Sequence, residues 1–134
     1  MWSDWGLLIL RMVLGISFLG HGSQKLFGWF GGYGLSGTGG WMESVGLKPG
    51  KAMAFLAGAG ELTGGALVLL GLFTDLGALL IAAVMVVAMA KLHIKKGFWN
   101  TNGGYEYNLT IIAAVIALAS TGPGGYTIQA LLGG

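Results

Sequence analysis

Charge is what this sequence has least of: 9% of its 134 residues are charged, where a soluble domain carries about 25%. A surface so poor in charge cannot face water over most of its area. With 54% hydrophobic residues and a mean hydropathy of +0.76, the natural solvent of the chain is lipid. Cysteine is absent altogether, which excludes disulfides, thiol catalysis, iron–sulfur clusters and cysteine zinc sites. No metal is expected, and redox chemistry would need a borrowed cofactor. The net charge of +2 is too small and too dispersed to suggest nucleic acid as a partner. A basic leader is missing too: MWSDWGLLIL has none, and Arg11 interrupts the apolar run. No cleavable signal peptide is expected, so the first apolar segment should stay in the protein.

What is present is a set of long apolar runs. A hydrocarbon core about 30 Å thick needs about 20 helical residues. Segments near that length occur at 5–27, 52–73, 76–92 and 107–120. The expected fold is all-α, an integral membrane four-helix bundle forming one domain over 1–134. Thr74 and Asp75 form the whole connection between the second and third spans, which must then be an antiparallel hairpin. Asp75 suits the first turn of the third helix, where negative charge is favoured. Within the first long loop, WMESV predicts a short interfacial helix with Trp41 and Met42 facing lipid. Lys25, Lys48 and Lys51 flank that loop, and Lys91, Lys95 and Lys96 flank the second. Excess basic residues mark the cytoplasmic side, so both long loops should be cytoplasmic and both termini outside a multi-pass cell membrane protein.

Ionisable residues inside a span are costly and turn to a bundle interior or a cavity. At 100° per residue, Arg11, Ser17, His21, Gln24 and Lys25 fall within an arc of roughly 140°, so these five polar side chains of the first helix share one face. Each has a plainer reading: Lys25 snorkels, Arg11 ties helices together and His21 is a packing histidine. The second span carries Ala57, Gly58, Glu61, Gly64 and Gly65 at helical spacing, with a GxxxG pair at Gly60 and Gly64, a face suited to close helix packing. Glu61 lies near mid-membrane and needs a partner. Counting residues puts Arg11 within about 7 Å of its depth, so an Arg11–Glu61 pair is expected. The third span ends in Lys91 and His93, and the fourth begins with Glu106 and Asn108. These ends converge with His21 and Lys25 on one membrane face, joined by Trp99, Tyr105 and Tyr107, which also suit interfacial anchoring.

Three weaker matches do not fit their surroundings. Gly32, Gly34 and Gly37 spell GxGxxG, but without the strand that a dinucleotide site needs. Asn108-Leu109-Thr110 matches a glycosylation sequon yet opens a membrane helix. His21 and His93 could serve as axial haem ligands, but no haem-attachment signature accompanies them, and haem is the minor option.

An ordered set of short motifs resembles the DoxX family of small four-helix membrane proteins. It comprises Arg11, then HGSQKLFG with His21 and Lys25, then GELTGGALVLLGLFT with Glu61, then AMAKLH with His93. GFW at Gly97 to Trp99, GYEYNL with Glu106 and Asn108, and a closing GPGGYTI from Gly122 complete it. Thr127 and Gln129 stand where many members have a serine and an acid. The resemblance implies varied roles: a membrane subunit of thiosulfate:quinone oxidoreductases, and bacterial proteins named as oxidoreductases by inference, some linked to catechol and quinone stress. It also implies a mycobacterial subunit of a thiol and superoxide defence complex, and eukaryotic receptor-assembly chaperones. No shared catalytic residue follows from it.

Two kinds of function are therefore expected. In the first, the chain is a membrane subunit of a redox complex, an oxidoreductase subunit by family, and binds a quinone headgroup near the cytoplasmic face. His21, Lys25 and His93 would donate to the quinone oxygens, and Glu61 or Glu106 would supply protons. A protein partner would bring the electrons. In the second, the chain is an assembly factor, chaperone or scaffold that holds a partner's transmembrane segment or a second copy of itself, and the polar cluster is structural.

Overall fold

A backbone in lipid must satisfy its own hydrogen bonds, which leaves helices and closed barrels as spanning elements. The computed structural model describes residues 2–133, and no strand occurs among the described residues. Its helices are α1 (Trp2–Phe27), α2 (Gly34–Ser44), α3 (Gly50–Leu70), α4 (Thr74–Ala88), α5 (Glu106–Thr121) and the short α6 (Ile128–Leu131). Helix α4 continues through a π-helical turn at Met89–His93 and a 3-10 turn at Ile94–Lys96. The helices Trp2–Phe27, Gly50–Leu70 and Thr74–Lys96 are long and apolar enough to cross a membrane. The fourth apolar helix, α5, has 16 residues and so rises about 24 Å. This is the all-α membrane bundle that the hydropathy predicts.

The second span stops at Leu70, earlier than the apolar run, because Gly71 adopts the left-handed conformation (φ +69°) that closes a helix C-terminus. Phe73 is also left-handed (φ 45°), so the chain reverses in three residues and α4 starts at Thr74, with Asp75 in its first turn.

Lipid offers no hydrophobic drive for helices to associate, so close contact must do it. Helices α1 and α3 meet where both carry glycine: a Cβ on Gly15 would stand 2.8 Å from the Gly65 carbonyl, and one on Gly22 would stand 2.7 Å from that of Gly58. Gly64 turns the other way, onto α4, where an added Cβ would lie 2.9 Å from the Gly77 carbonyl. The small-residue stripe of α3 therefore serves two neighbours at once. Between the helices sit Leu14, Phe18, Val68, Ile81, Val115 and Leu118, all nearly inaccessible.

The interfacial helix is longer than WMESV and turned differently from the expectation. Trp41 is half-exposed, but Met42 is buried. Consecutive helical residues point about 100° apart, so the two cannot share the lipid face. What turns Met42 inward is the contact of α2 with α3, where Gly50 packs on the Gly39 carbonyl and its N–H donates to Glu43 Oε2 at 3.0 Å.

At the opposite end, residues 122–127 fold back over the helix termini. The Gly125 N–H donates to Asp4 Oδ1 (2.8 Å), and Tyr126 stacks edge-on against Trp5 with centroids 4.9 Å apart. Thr127 caps α6 through its hydroxyl, and Gln129 Oε1 accepts from the Phe73 N–H at 3.2 Å.

Candidate functional site

The expected Arg11–Glu61 pair does not form. Arg11 donates from Nε to the Val68 carbonyl, from Nη2 to that of Leu69, and from Nη1 to those of Pro123 and Tyr126, all at 2.9–3.1 Å. Val68 lies seven residues beyond Glu61, about 10 Å along α3. The last carbonyls of a helix have no partner within it and carry the negative end of its dipole. A buried guanidinium with several donors meets both needs and anchors the returning C-terminal segment as well. Sequence counting missed this because it carried no information about where residues 122–127 lie.

The partner of Glu61 is Lys25, whose Nζ stands 2.6 Å from Oε1. Oε1 has no hydrogen-bond partner, so the contact is an ion pair, between a Glu61 that is 2% exposed and a Lys25 that is 25% exposed.

Lys25 and Glu61 belong to the wall of a cavity of about 490 Å³ at the loop end of the bundle. His21, His93, Tyr107 and Asn108 also line it. The rest of the wall is apolar, with Met42, Met53 and Met85 from three different helices. His21 is held on both sides: Nδ1 lies 3.3 Å from Gln24 Oε1, and Nε2 lies 3.3 Å from the Tyr107 hydroxyl. The Gln24 amide nitrogen donates to the Phe30 carbonyl (3.1 Å), so its oxygen accepts from the ring. These partners assign the proton to Nδ1 and leave Nε2 to accept from Tyr107. Ligation of a haem iron through Nε2 would displace Tyr107.

His93 comes from the π-helical turn, an irregularity frequent at functional sites. Its Nδ1 donates to the Gly103 carbonyl at 2.8 Å, which leaves Nε2 available. Asn108 donates weakly to the Met85 sulfur at 3.7 Å, and its buried Oδ1 has no partner.

Of the seven candidates, then, His21, Lys25, Glu61, His93 and Asn108 share one cavity, and Arg11 and Glu106 stand apart from it. Glu106 accepts from the Asn100 N–H at 3.1 Å and braces its own loop, where Phe98 stacks on Trp99 and Tyr105. Lys91 is exposed. Tyr107 was readable only as one aromatic of several at the interface; what singles it out is its hydroxyl's contact with His21, which no sequence signal gave. The methionines carry no such signal, since methionine fills any irregular apolar space.

The chain is 34% identical over 117 residues to the Bacillus subtilis protein named "Putative oxidoreductase CatD", covering 87% of this chain and 79% of that one. It is 33% identical to the inner membrane protein YqjF of Escherichia coli, covering 96% and 93% of the two chains. It is 30% identical to the membrane protein Rv3486 of Mycobacterium tuberculosis, covering 91% and 78%. No solved structure gives a significant match. A family model described as DoxX matches residues 6–94, the stretch that carries Arg11, His21, Lys25, Glu61 and His93, and the chain belongs to the DoxX family.

Proposed function

We propose that this chain is the membrane subunit of a redox complex and that its cavity holds the ring of a quinone. One observation carries the reading: a largely apolar cavity at the loop end of the bundle, with His21, Tyr107, Lys25 and Glu61 in its wall. A quinone ring is flat, apolar on its faces and has two oxygens that gain negative charge on reduction. It therefore suits a greasy slot with a few convergent donors. The relative named as an oxidoreductase agrees with this class.

When bound, a quinone takes up two electrons and two protons to become a quinol. Two titratable pairs line the cavity, His21 with Tyr107 and Lys25 with Glu61. To donate to a ring oxygen the Tyr107 hydroxyl turns its one proton away from His21 Nε2, and a protonated imidazole behind it can replace that proton through Nε2 while Nδ1–H stays on Gln24. The Lys25 ammonium supplies positive charge where the reduced ring becomes negative, and Glu61 keeps that ammonium in place. Electrons come from a protein partner, because a chain without cysteine has no ligands for an iron–sulfur cluster.

The alternative, a scaffold for a partner's transmembrane segment, relies on small-residue helix faces. Gly15, Gly22, Gly58 and Gly65 are already occupied against one another inside the bundle, which favours the cavity over the scaffold. The test is gentle purification followed by an absorption spectrum and mass spectrometry of the extracted small molecules. Quinone should accompany the wild type and be lost from His21→Ala and Tyr107→Phe variants that still fold. A quinone-free wild type that retains its biological function would sink the reading.

A further inference from the structure

The cavity is lined on one side by exposed residues of α3 and α4. Helices α3 and α4 are pinned together at Gly64 and Gly77, whose backbones almost touch. One turn nearer the loops they still meet, since a Cβ on Gly60 would lie 3.2 Å from Val84 Cγ2. Nearer the loops, Leu56 of α3 and Val87 of α4 both line the cavity. Both are cavity-wall residues and surface residues at once: Leu56 is 61% exposed and Val87 52%, and Ala83 beside them is exposed too. Both helices are membrane-crossing, so this mouth faces hydrocarbon. The polar wall runs from Glu61 and Asn108, each 2% exposed, outward to Tyr107, which is 37% exposed. Toward the loops, α2 lies across the cavity with the buried Met42 in its wall.

A site that is polar in its depth and apolar at a mouth in the bilayer matches one kind of ligand, an amphiphile already dissolved in the membrane. We propose that the ligand enters laterally through the α3/α4 seam and is a long-tailed lipid quinone, its ring at His21 and Tyr107 and its tail lying across Leu56, Ala83 and Val87. This rests on the quinone reading above and adds the substrate class and the route. The volume of about 490 Å³ lies within the roughly 300–1,000 Å³ of sites that enclose a small molecule. The remainder of a long tail would stay in lipid, where it costs nothing to leave it.

The absence of native cysteine makes the mouth addressable. Ala83 lies on the lipid face, so Ala83→Cys should fold, and an aromatic methanethiosulfonate would attach there alone and be removable by reductant. Equilibrium binding is measured in lipid nanodiscs for a polyprenyl quinone and for its tail-less parent. Labelling should weaken the polyprenyl quinone about tenfold or more and the tail-less one less than about threefold, with recovery on reduction. Unchanged binding of the polyprenyl quinone after labelling overturns the tail path. Equal weakening of both quinones overturns it too, since the label would then be blocking the ring. If neither quinone binds the unlabelled protein, the quinone reading itself fails, and this one with it.

Discussion

Arg11 is the residue whose removal should be felt most. Its guanidinium is 1% exposed and joins α1, the end of α3 and the C-terminal segment through four carbonyl oxygens. Arg11→Met removes the donor from the Leu69, Pro123 and Tyr126 carbonyls, leaves Val68 only the Gly71 N–H, and should destabilise the protein by about 3 kcal/mol. Arg11→Lys should recover little of this, because an ammonium cannot reproduce the fork of donors. Both are read as loss of stability in a detergent or denaturant melt. Lys25 and Glu61 make a different prediction. Either Lys25→Met or Glu61→Leu strands a charge inside the bundle and should cost about 3 kcal/mol, whereas the double variant should cost much less than the sum. The same cycle on Arg11 and Glu61 should be additive, since the two lie about two turns apart in depth and share no partner. Coupling there would contradict the assignment of partners.

Among the elements, the glycine contacts between α1 and α3 set how closely the bundle closes. Gly65→Ala places a methyl 2.8 Å from the Gly15 carbonyl and 2.8 Å from the Leu19 nitrogen, both rigid backbone. The helices must separate, at a cost of about 1–3 kcal/mol. Gly20→Ala, where the added methyl meets nothing within 4 Å, should be neutral in the same melt. The contrast also marks what the sequence could convey. The spans were legible because about 20 apolar residues in a row allow little else, and the helical spacing of Gly58, Glu61 and Gly65 announced a packing face. Which neighbour each glycine would meet was not legible, because periodicity fixes the angle about one helix and says nothing of the next. For the same reason α2 came out with Met42 wrongly turned to lipid. The π-helical turn that carries His93 left no pattern at all in MAKLH.

For the whole molecule, convergence of helix ends was readable from chain direction alone: antiparallel spans must bring His21, Lys25, His93 and Asn108 to one end. That Glu106 stands apart from that cluster, and that Arg11 meets carbonyls instead of Glu61, was not, since each is claimed by a segment without hydropathy signal, the loop around Asn100 and residues 122–127. Six of the seven basic residues lie at the cavity end, which by the distribution of lysines should be cytoplasmic. In this cysteine-free chain, Asn102→Cys should resist a membrane-impermeant maleimide in intact cells and Ser120→Cys should react; the reverse pattern would invert the topology. Photolabelling with an azido-quinone decides most directly whether the cavity is a quinone site. The label should fall on the α1 peptide bearing His21 and Lys25 and on the α5 peptide bearing Tyr107, and excess unmodified quinone should suppress it. Labelling confined to the outward face of α1 around Ile9 and Val13, or unaffected by competing quinone, would contradict a quinone in this cavity.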